Sequence, residues 1–498
     1  MNKAKKQVLR LLFFAVCLLS FIAFIKSSIN KVDESVEAAD STTSVTVSNT
    51  APAFDVAPAE NPASISTAPT DVGSNVTFEA TGNDSNGHQY YLAVCTTNAV
   101  SAGDDAAPTC DVGTWCISTA TNDETQATCS YTALVGDAES NDWYAFVCDK
   151  VAGGGLCSAS SQGSGDSGSP FKVNHTPAFS AASGNSADPG GTISFTSTAS
   201  DSDIDGTADQ VKIVVCTNTT TAVVLGSPST CTGGSLYCES ALGASDPTCN
   251  YGLASVIQDG PTTFRAFVFD SHDLDSTSNY ISNTFTVNNV APSVSGVGLN
   301  SGSDITLSSP GGNTNVSVTA TVTDNNSCED VAAVNVNTSI YHALASGSYS
   351  SCDDNGEDDT DSCYALESCT LDGGSCTGST DATETYTCTI AVAYHADPTE
   401  GTGTSDSPWW DHEWYGTIYA EDDTGLSDDT EVGTPVEMDD YVALNVTSSI
   451  SYGTMNAGQD SEDVANYPET TVTAYGNVGL DSSLSGVAMC DDWPTCVG

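Results

Sequence analysis

Alternate aspartates are the first pattern in this sequence that could do chemistry. The segment DSDIDG places Asp201, Asp203 and Asp205 at alternate positions, and Gly206 follows at once. Alternate carboxylates in a tight turn can converge on one hard cation, because glycine permits the sharp bend and Ca²⁺ prefers oxygen ligands. Asp209 could add a ligand or hold a water molecule. Lys212 stands where an EF-hand loop has its bidentate glutamate, so the pattern predicts a simpler calcium loop.

A second acidic loop lies between Cys352 and Cys363, and its candidate ligands are Asp353, Asn355 and Asp358. A diluted version of the first loop occurs at Asp84, Asn86 and Gly87, and a further acidic cluster comprises Glu421, Asp422 and Asp423. Asp, Asn and Gly are also the residues that β-turns favour on a solvated face. Two interpretations therefore remain open for these loops: calcium sites, or turns without a ligand.

One segment concentrates histidines, carboxylates and tryptophans: His395, Asp397, Trp409, Trp410, Asp411, His412, Glu413 and Trp414. Such a set could form a hydrolase or sugar site, or it could be a turn and a core strand with packed aromatic rings. The sequence contains no G-x-S-x-G, H-E-x-x-H, P-loop or dinucleotide fingerprint. We therefore predict that the protein is not an enzyme.

Internal repeats indicate which elements position these residues. NTAPAF (49–54) recurs as NHTPAF (174–179) and more loosely as NVAPSV (289–294), and FKVN (171–174) and FTVN (285–288) precede the later copies. Between the boundaries, apolar residues alternate with polar ones in Thr- and Val-rich stretches, which predicts short antiparallel strands of β-sandwiches. The fold class is all-β, with module 1 at 51–174, module 2 at 175–290, an enlarged module 3 at 291–446 and an incomplete fourth β module at 447–498.

Apart from Cys17, the cysteines occur in even numbers in every module. They are Cys95, Cys110, Cys116, Cys129, Cys148 and Cys157 in module 1; Cys216, Cys231, Cys238 and Cys249 in module 2; Cys328, Cys352, Cys363, Cys369, Cys376 and Cys388 in module 3; and Cys490 and Cys496 in the last segment. Even counts without zinc-site spacing predict structural disulfides in an oxidising compartment.

Comparison of the first two modules favours particular pairs. Phe269 stands at the position of Cys148, and Cys157 also lacks a counterpart in module 2, as expected if these two cysteines bond to each other. Local closure favours Cys95 with Cys110 and Cys116 with Cys129. The equivalent pairs of module 2 are Cys216 with Cys231 and Cys238 with Cys249. Four cysteines allow three connectivities, so these pairs are predictions from local closure.

The F-x-V-N…P boundaries, the strand-rich modules and the acidic turns resemble tandem immunoglobulin-like (cadherin- or PKD-like) modules of large prokaryotic cell-surface proteins. The resemblance covers about residues 51–446. It implies Ig-like sandwiches that act as spacers, stalks or parts of adhesins. The antibody-type Cys…Trp…Cys pattern is absent.

The charge balance bears on compartment and partners. The chain has 10 Lys and Arg against 65 Asp and Glu, a net charge of −55, and this surface repels nucleic acids and anionic lipids. Residues 1–31 join a basic start to an apolar run, which predicts a signal peptide or membrane anchor. Residues 32–50 predict a disordered stalk. Membrane contact is expected only through the N-terminal segment.

Two functions follow from these patterns. The first is an exported structural spacer at the cell surface, stiffened by calcium, with cell-envelope or other surface proteins as partners. The second is an adhesin that binds glycan or protein through module 3. No cofactor other than calcium is expected.

Overall fold

The computed structural model describes residues 48–159, 170–204, 209–276, 279–308, 310–332, 335–342, 361–366, 368–403, 407–450 and 470–481, and the single residues 15 and 483. The predicted signal or anchor and most of the predicted stalk lie outside this part of the chain. Within it, no helix has the length and apolarity to cross a bilayer.

Module 1 is a sandwich of short strands. One sheet has the order β1-β3-β8, and the sheets β10-β4-β7 and β2-β11-β9 form the other layer. The strands are β1 (Ala53–Glu60), β2 (Thr70–Asp71), β3 (Asn75–Asn83), β4 (Tyr90–Cys95), β5 (Val100–Ser101), β6 (Thr109–Cys110), β7 (Thr114–Ile117), β8 (Gln126–Thr132), β9 (Ser140–Asn141), β10 (Tyr144–Asp149) and β11 (Phe171–Asn174). Along β3 every second residue is buried, as the period of two in a strand requires.

Module 2 repeats this arrangement with the second layer continuous. Its sheets have the orders β12-β14-β19 and β13-β21-β20-β15-β18, and β13 pairs with β21 in parallel as β2 does with β11. The strands are β12 (Ala178–Gly184), β13 (Ser186–Ala187), β14 (Thr192–Ser200), β15 (Val211–Thr217), β16 (Ala222–Val224), β17 (Thr230–Thr232), β18 (Leu236–Glu239), β19 (Thr248–Gly252), β20 (Gly260–Asp270) and β21 (Ile281–Val287). An antiparallel two-layer sandwich of about 100 residues with these pairings is Ig-like.

Module 3 packs two four-stranded sheets, β22-β23-β27-β26 and β25-β24-β28-β29. Its elements are β22 (Ser293–Leu299), a 3₁₀ turn (Asn300–Gly302), β23 (Asn313–Thr323), β24 (Val336–His342), β25 (Cys363–Leu366), β26 (Thr370–Leu371), β27 (Thr383–Ala393), β28 (Trp414–Glu421) and β29 (Ser427–Glu431). The next strand, β30 (Leu444–Val446), was expected to end this module. It pairs instead with β31 (Val472–Ala474) in a separate two-stranded sheet.

Each module has its own apolar core between its two sheets. In module 1, Phe78 and Trp143 meet edge to face with ring centroids 4.9 Å apart. The equivalent rings of module 2, Phe195 and Phe264, meet at 4.8 Å. Such pairs fill the space between layers with large apolar surfaces, which is the main stabilising contribution of a sandwich.

Seven disulfides join described residues: Cys95–Cys110, Cys116–Cys129, Cys148–Cys157, Cys216–Cys231, Cys238–Cys249, Cys328–Cys376 and Cys369–Cys388. The five in modules 1 and 2 are the predicted pairs: four follow from local closure, and Cys148–Cys157 follows from the joint absence of counterparts in module 2. Cys116–Cys129 joins β7 to β8 and so links the two layers of module 1. The antibody-type bond that links the layers elsewhere is replaced by this local one.

We expect the double substitution C148A/C157A to lower the opening free energy of β10 by about 2–3 kcal/mol, because a loop of this length loses its cross-link. Module 1 should still fold, since module 2 builds the same strand with Phe269 in place of Cys148. Hydrogen exchange on peptides that cover β10 measures the change. Collapse of the whole module, or no change at all, would contradict this account of the bond.

Module 3 buries a glutamate in its core. Glu384 on β27 is 2% exposed and accepts a hydrogen bond of 2.6 Å from the Tyr386 hydroxyl. Burial raises the pKa of Glu384 to about 7, although the Tyr386 hydrogen bond opposes this rise. The folded state therefore binds a proton here at pH values where the unfolded chain has already released it.

This glutamate makes a contribution to stability that falls as pH rises from the ordinary glutamate range through about 7. In E384Q, the difference in unfolding free energy between pH 5 and pH 8 should shrink by about 2 kcal/mol. Urea unfolding of the chain at the two pH values measures it. The exposed Glu329 provides the control E329Q, and equal shrinkage in both variants would refute the assignment.

Candidate cation sites at the module boundaries

In each module, the long strand that pairs with the first strand is followed directly by an aspartate. These residues are Asp84 after β3, Asp201 after β14 and Asp324 after β23. In each, Oδ1 accepts the backbone N–H two residues later, at 2.7, 2.9 and 2.7 Å respectively, which closes a local turn. In each, Oδ2 is buried and has no hydrogen-bond partner.

A second aspartate stands at or just beyond the end of a central strand of the other layer. These residues are Asp149 on β10, Asp270 on β20 and Asp422 after β28, and all three are at most 1% exposed. Their Oδ1 atoms accept the backbone N–H of Leu156, Leu274 and Leu426 at 2.7, 2.9 and 2.9 Å. The backbone N–H of each aspartate returns to the carbonyl of the same leucine. These two hydrogen bonds hold each aspartate against the loop that contains its leucine.

The boundary asparagine connects to this second aspartate. Asn49, Asn174 and Asn289 donate from Nδ2 to Oδ2 of Asp149, Asp270 and Asp422 at 2.6, 3.0 and 2.7 Å. Each Nδ2 also has a second acceptor: Gly154 O, Asp71 Oδ1 or Thr424 Oγ1. Two acceptors on one nitrogen fix which end of the amide is which. The opposite atom, Oδ1, is buried without a partner in all three asparagines.

The residue after the asparagine completes the arrangement. The backbone N–H groups of Thr50, His175 and Val290 donate to side-chain oxygens of Asn86, Asp203 and Asn326 at 2.9, 2.6 and 2.7 Å. We call the boundary asparagine, the two aspartates and this Asn or Asp acceptor the boundary cassette. The same cassette occurs at the start of all three modules.

Unpartnered oxygens give the cassette its chemistry. Each copy buries one amide oxygen and one carboxylate oxygen that receive no hydrogen bond, and a buried polar atom left so costs free energy. A cation would satisfy both atoms at once. In module 3, Asp330 adds a third unpartnered oxygen, and ligand atoms of Asp324, Asp330 and Asp422 lie within 4.8 Å of one another. Carboxylate and amide oxygens are the ligands that Ca²⁺ prefers.

The electrostatics of the cassettes point the same way. Burial raises the pKa of Asp201 and of Asp324 to about 6, and neighbouring aspartates add to both changes. Burial also raises the pKa of Asp330 to about 7, with Asp423 as the next contributor. Carboxylates that repel one another in a buried place are stabilised by a bound cation or by a proton.

The structure places the calcium ligands predicted from sequence in different roles. Asp201 belongs to the cassette, but both carboxylate oxygens of Asp203 are taken by His175, at 2.6 Å from its N–H and 2.9 Å from its Nδ1. Asp209 lies 3.5 Å from His272 Nε2. Asp201 and Asp203 of the alternating pattern therefore have different partners. Asp205, Asp353, Asn355 and Asp358 lie outside the described residues.

Sequence reasoning missed the boundary asparagines as functional residues, and it missed His88 and Asp330. The asparagines belong to the repeated N-x-x-P motif, and from sequence alone this motif predicts a module boundary but no contact of the asparagine side chain. No periodicity points to Asp330, because it enters the site from a loop.

The histidine and tryptophan segment forms a packed cluster. Fully buried His342 contacts Asp397 Oδ2 through Nε2 at 3.0 Å and His412 Nδ1 through its own Nδ1 at 3.2 Å. Trp409 and Trp414 lie against its ring, and Trp414 is fully buried. His395 lies elsewhere, beside Asp361. Of the three tryptophans, Trp414 thus belongs to the core, Trp409 is partly buried and Trp410 is exposed.

Solved structures that are similar to this chain include proteins built of Ig or fibronectin domains. A marsupial T cell receptor aligns with 73% of this chain and 97% of its own, at 10% identity and a TM-score of 0.28. The chicken CNTN1 FN1–FN3 domains align with 77% and 97%, at 8% identity and 0.19. Sidekick-1 immunoglobulin domains 1–5 align with 79% and 60%, at 11% and 0.22. At such scores the likeness says nothing about function. No protein family model and no curated protein matches the chain.

We expect N174A to weaken the boundary between modules 1 and 2, because it removes the donor shared by Asp71 and Asp270. Loss of these charge-assisted bonds should cost about 1–3 kcal/mol. Thermal unfolding in the presence of a chelator measures the loss. N250A on β19 alters an exposed asparagine and is the matched control. An equal effect of the two substitutions would show that Asn174 is not a boundary residue.

Proposed function

We propose that the chain is an exported cell-surface spacer whose Ig-like modules are held in line by Ca²⁺ at their boundaries. The observation that carries the proposal is the recurrence of the boundary cassette, with the same two unpartnered buried oxygens in all three copies. The disulfides support an oxidising, extracellular location. A spacer needs defined boundaries more than it needs a pocket, and the boundaries are where this chain repeats its polar chemistry.

The boundary between modules 1 and 2 is a network of side chains from both. Asn174 donates to Asp71 of module 1 and to Asp270 of module 2, each at 3.0 Å. Glu139 of module 1 accepts the backbone N–H of Ile204 at 2.7 Å through Oε2, while its Oε1 is buried without a partner. Loops of the two modules are thereby fixed to each other through carboxylates.

The boundary between modules 2 and 3 is formed in part by the turn that follows Asp324 of the module 3 cassette. Ile257 of module 2 donates its N–H to Asn325 O at 3.1 Å, and Asn326 Nδ2 contacts Ile257 O at 3.3 Å. These two asparagines follow Asp324 directly. A cation held by Asp324 and Asp330 would therefore fix the turn that contacts the preceding module.

Charge repulsion explains why a cation would matter here. Asp259 of module 2 raises the pKa of Asp324 and of Asp330 in module 3, after burial and nearer carboxylates, so like charges face each other across the boundary. From residue 32 onward the chain has only four Lys and Arg residues. A divalent cation removes the repulsion and adds bonds from both sides, which should narrow the range of angles between modules.

Addition of Ca²⁺ to the chelator-treated chain should raise its unfolding temperature and increase its maximum dimension in small-angle scattering. Both changes should be reduced in the double substitution D324N/D330N, which keeps the shape of the side chains but removes the charge of the module 3 cassette only. Calorimetric titration with Ca²⁺ counts the sites.

D372N is the matched control, because Asp372 lies in an exposed turn of module 3. It should respond to Ca²⁺ as the wild type does. A wild-type chain with no Ca²⁺ response, or a D324N/D330N chain with the full response, would overturn the calcium part of the proposal. A chain that is equally extended with and without Ca²⁺ would remain a spacer with boundaries held by hydrogen bonds alone.

The second candidate is an adhesin that binds glycan or protein through module 3. Its support is Trp410, which is 36% exposed and adjoins the exposed Asp411. An exposed indole beside a carboxylate suits a sugar face, although this single platform is weaker support than a threefold cassette. That the protein is not an enzyme stays a prediction.

A further inference from the structure

The first boundary cassette differs from the third in one ligand. Where module 3 contributes Asp330, module 1 contributes His88, from the loop between β3 and β4. We propose that the module 1 cassette is a zinc site, formed by His88, Asp84 and Asp149 with the Asn49 amide oxygen as a fourth ligand. Zinc replaces calcium in this cassette only, calcium remains the ion proposed for the cassettes of modules 2 and 3, and neither proposal depends on the other.

The geometry brings the three side chains together. Ligand atoms of Asp84, His88 and Asp149 lie within 4.8 Å of one another. His88 Nδ1 lies 3.3 Å from Asp84 Oδ2. Two ligands on a tetrahedral zinc ion, each at about 2.0–2.1 Å, are separated by about 3.3 Å. The separation of His88 Nδ1 and Asp84 Oδ2 is therefore that of two ligands of one zinc ion.

Three residues at this cluster carry buried atoms without a hydrogen-bond partner. Asp84 is 2% exposed, and the atoms concerned are its Oδ2, His88 Nδ1 and Asn49 Oδ1. Asp149 is fully buried and is held by the Leu156 N–H and by Asn49 Nδ2, which brings Asn49 next to the cluster. Unpartnered buried oxygens on Asp84 and Asn49, whose other side-chain polar atoms are held by hydrogen bonds, are what a metal site presents before it binds its ion.

The choice of metal follows from the nitrogen. Ca²⁺ and Mg²⁺ take oxygen ligands, whereas imidazole favours zinc and its transition-metal neighbours. One histidine and two carboxylates with an amide oxygen make four ligands, the usual number for Zn²⁺. The set at Asp324, Asp330 and Asn289 offers only oxygen atoms and therefore does not favour zinc over calcium.

A simple ion pair between protonated His88 and Asp84 is the competing account. It would satisfy Asp84 Oδ2 but would leave the Asn49 amide oxygen buried without a partner. A metal ion satisfies all three atoms, and this is the reason for preferring it. The two accounts differ in whether stability depends on added zinc.

Calorimetric titration of the chelator-treated full chain with Zn²⁺ at neutral pH should show a site whose affinity falls at least about tenfold in H88Q and in D84N. Co²⁺ should replace zinc and give the visible absorption of a four-coordinate ion, which H88Q should abolish. H412Q is the control for the other buried histidine cluster, in module 3, and should leave the site unchanged. H88D should shift the preference from Zn²⁺ toward Ca²⁺.

Absence of zinc binding by the wild-type chain overturns the inference, and so does binding that H88Q leaves unchanged. A pH-dependent stability change in H88Q without any zinc dependence establishes the ion pair only. The calcium response of D324N/D330N is read separately. A chain that binds zinc but ignores calcium keeps this inference and refutes the calcium proposal, and the reverse result does the opposite.

Discussion

The hydrogen bond from the boundary asparagine to the aspartate at the end of the central strand is the constraint on which the module boundaries depend. It recurs in three modules at 2.6–3.0 Å. Because the amide nitrogen has two acceptors, the amide oxygen is left without a partner, as is Oδ2 of the other aspartate in each cassette. The same contact that fixes where the chain enters a sandwich therefore accompanies unpartnered buried oxygens in all three modules.

The cores of the modules and the boundaries between them are stabilised by different interactions. The cores are apolar and the cross-links are mostly local, so each sandwich can form from its own residues. The boundaries between modules are held instead by polar contacts to carboxylates, such as those of Asn174 with Asp270 and of Ile204 with Glu139. Different interactions therefore hold the modules and their boundaries, and Glu384 is a buried ionisable exception within the module 3 core.

The sequence allowed much of this architecture to be predicted. The alternation in β3, β14 and β23 follows from burial on one face, and the joint absence of partners for Cys148 and Cys157 predicts their pairing. The different partners of Asp201 and Asp203 could not be predicted. Alternation does not tell which of the two keeps an unpartnered oxygen, because His175, the partner of Asp203, lies 28 residues away in the sequence. His88 and Asp330 come from loops whose paths depend on tertiary packing, so no local pattern could reveal them.

The Cys328–Cys376 bond has a consequence for a chain that is pulled from its ends. The two cysteines are separated by 48 residues, so about 160 Å of contour length stays closed even after module 3 has lost its sheets. The disulfides of modules 1 and 2 keep shorter loops, with sequence separations of 9 to 15 residues, from extending in the same way. The disulfides therefore set a covalent upper limit to the length that the pulled chain can reach, and this limit is shorter than that of the same chain without cross-links.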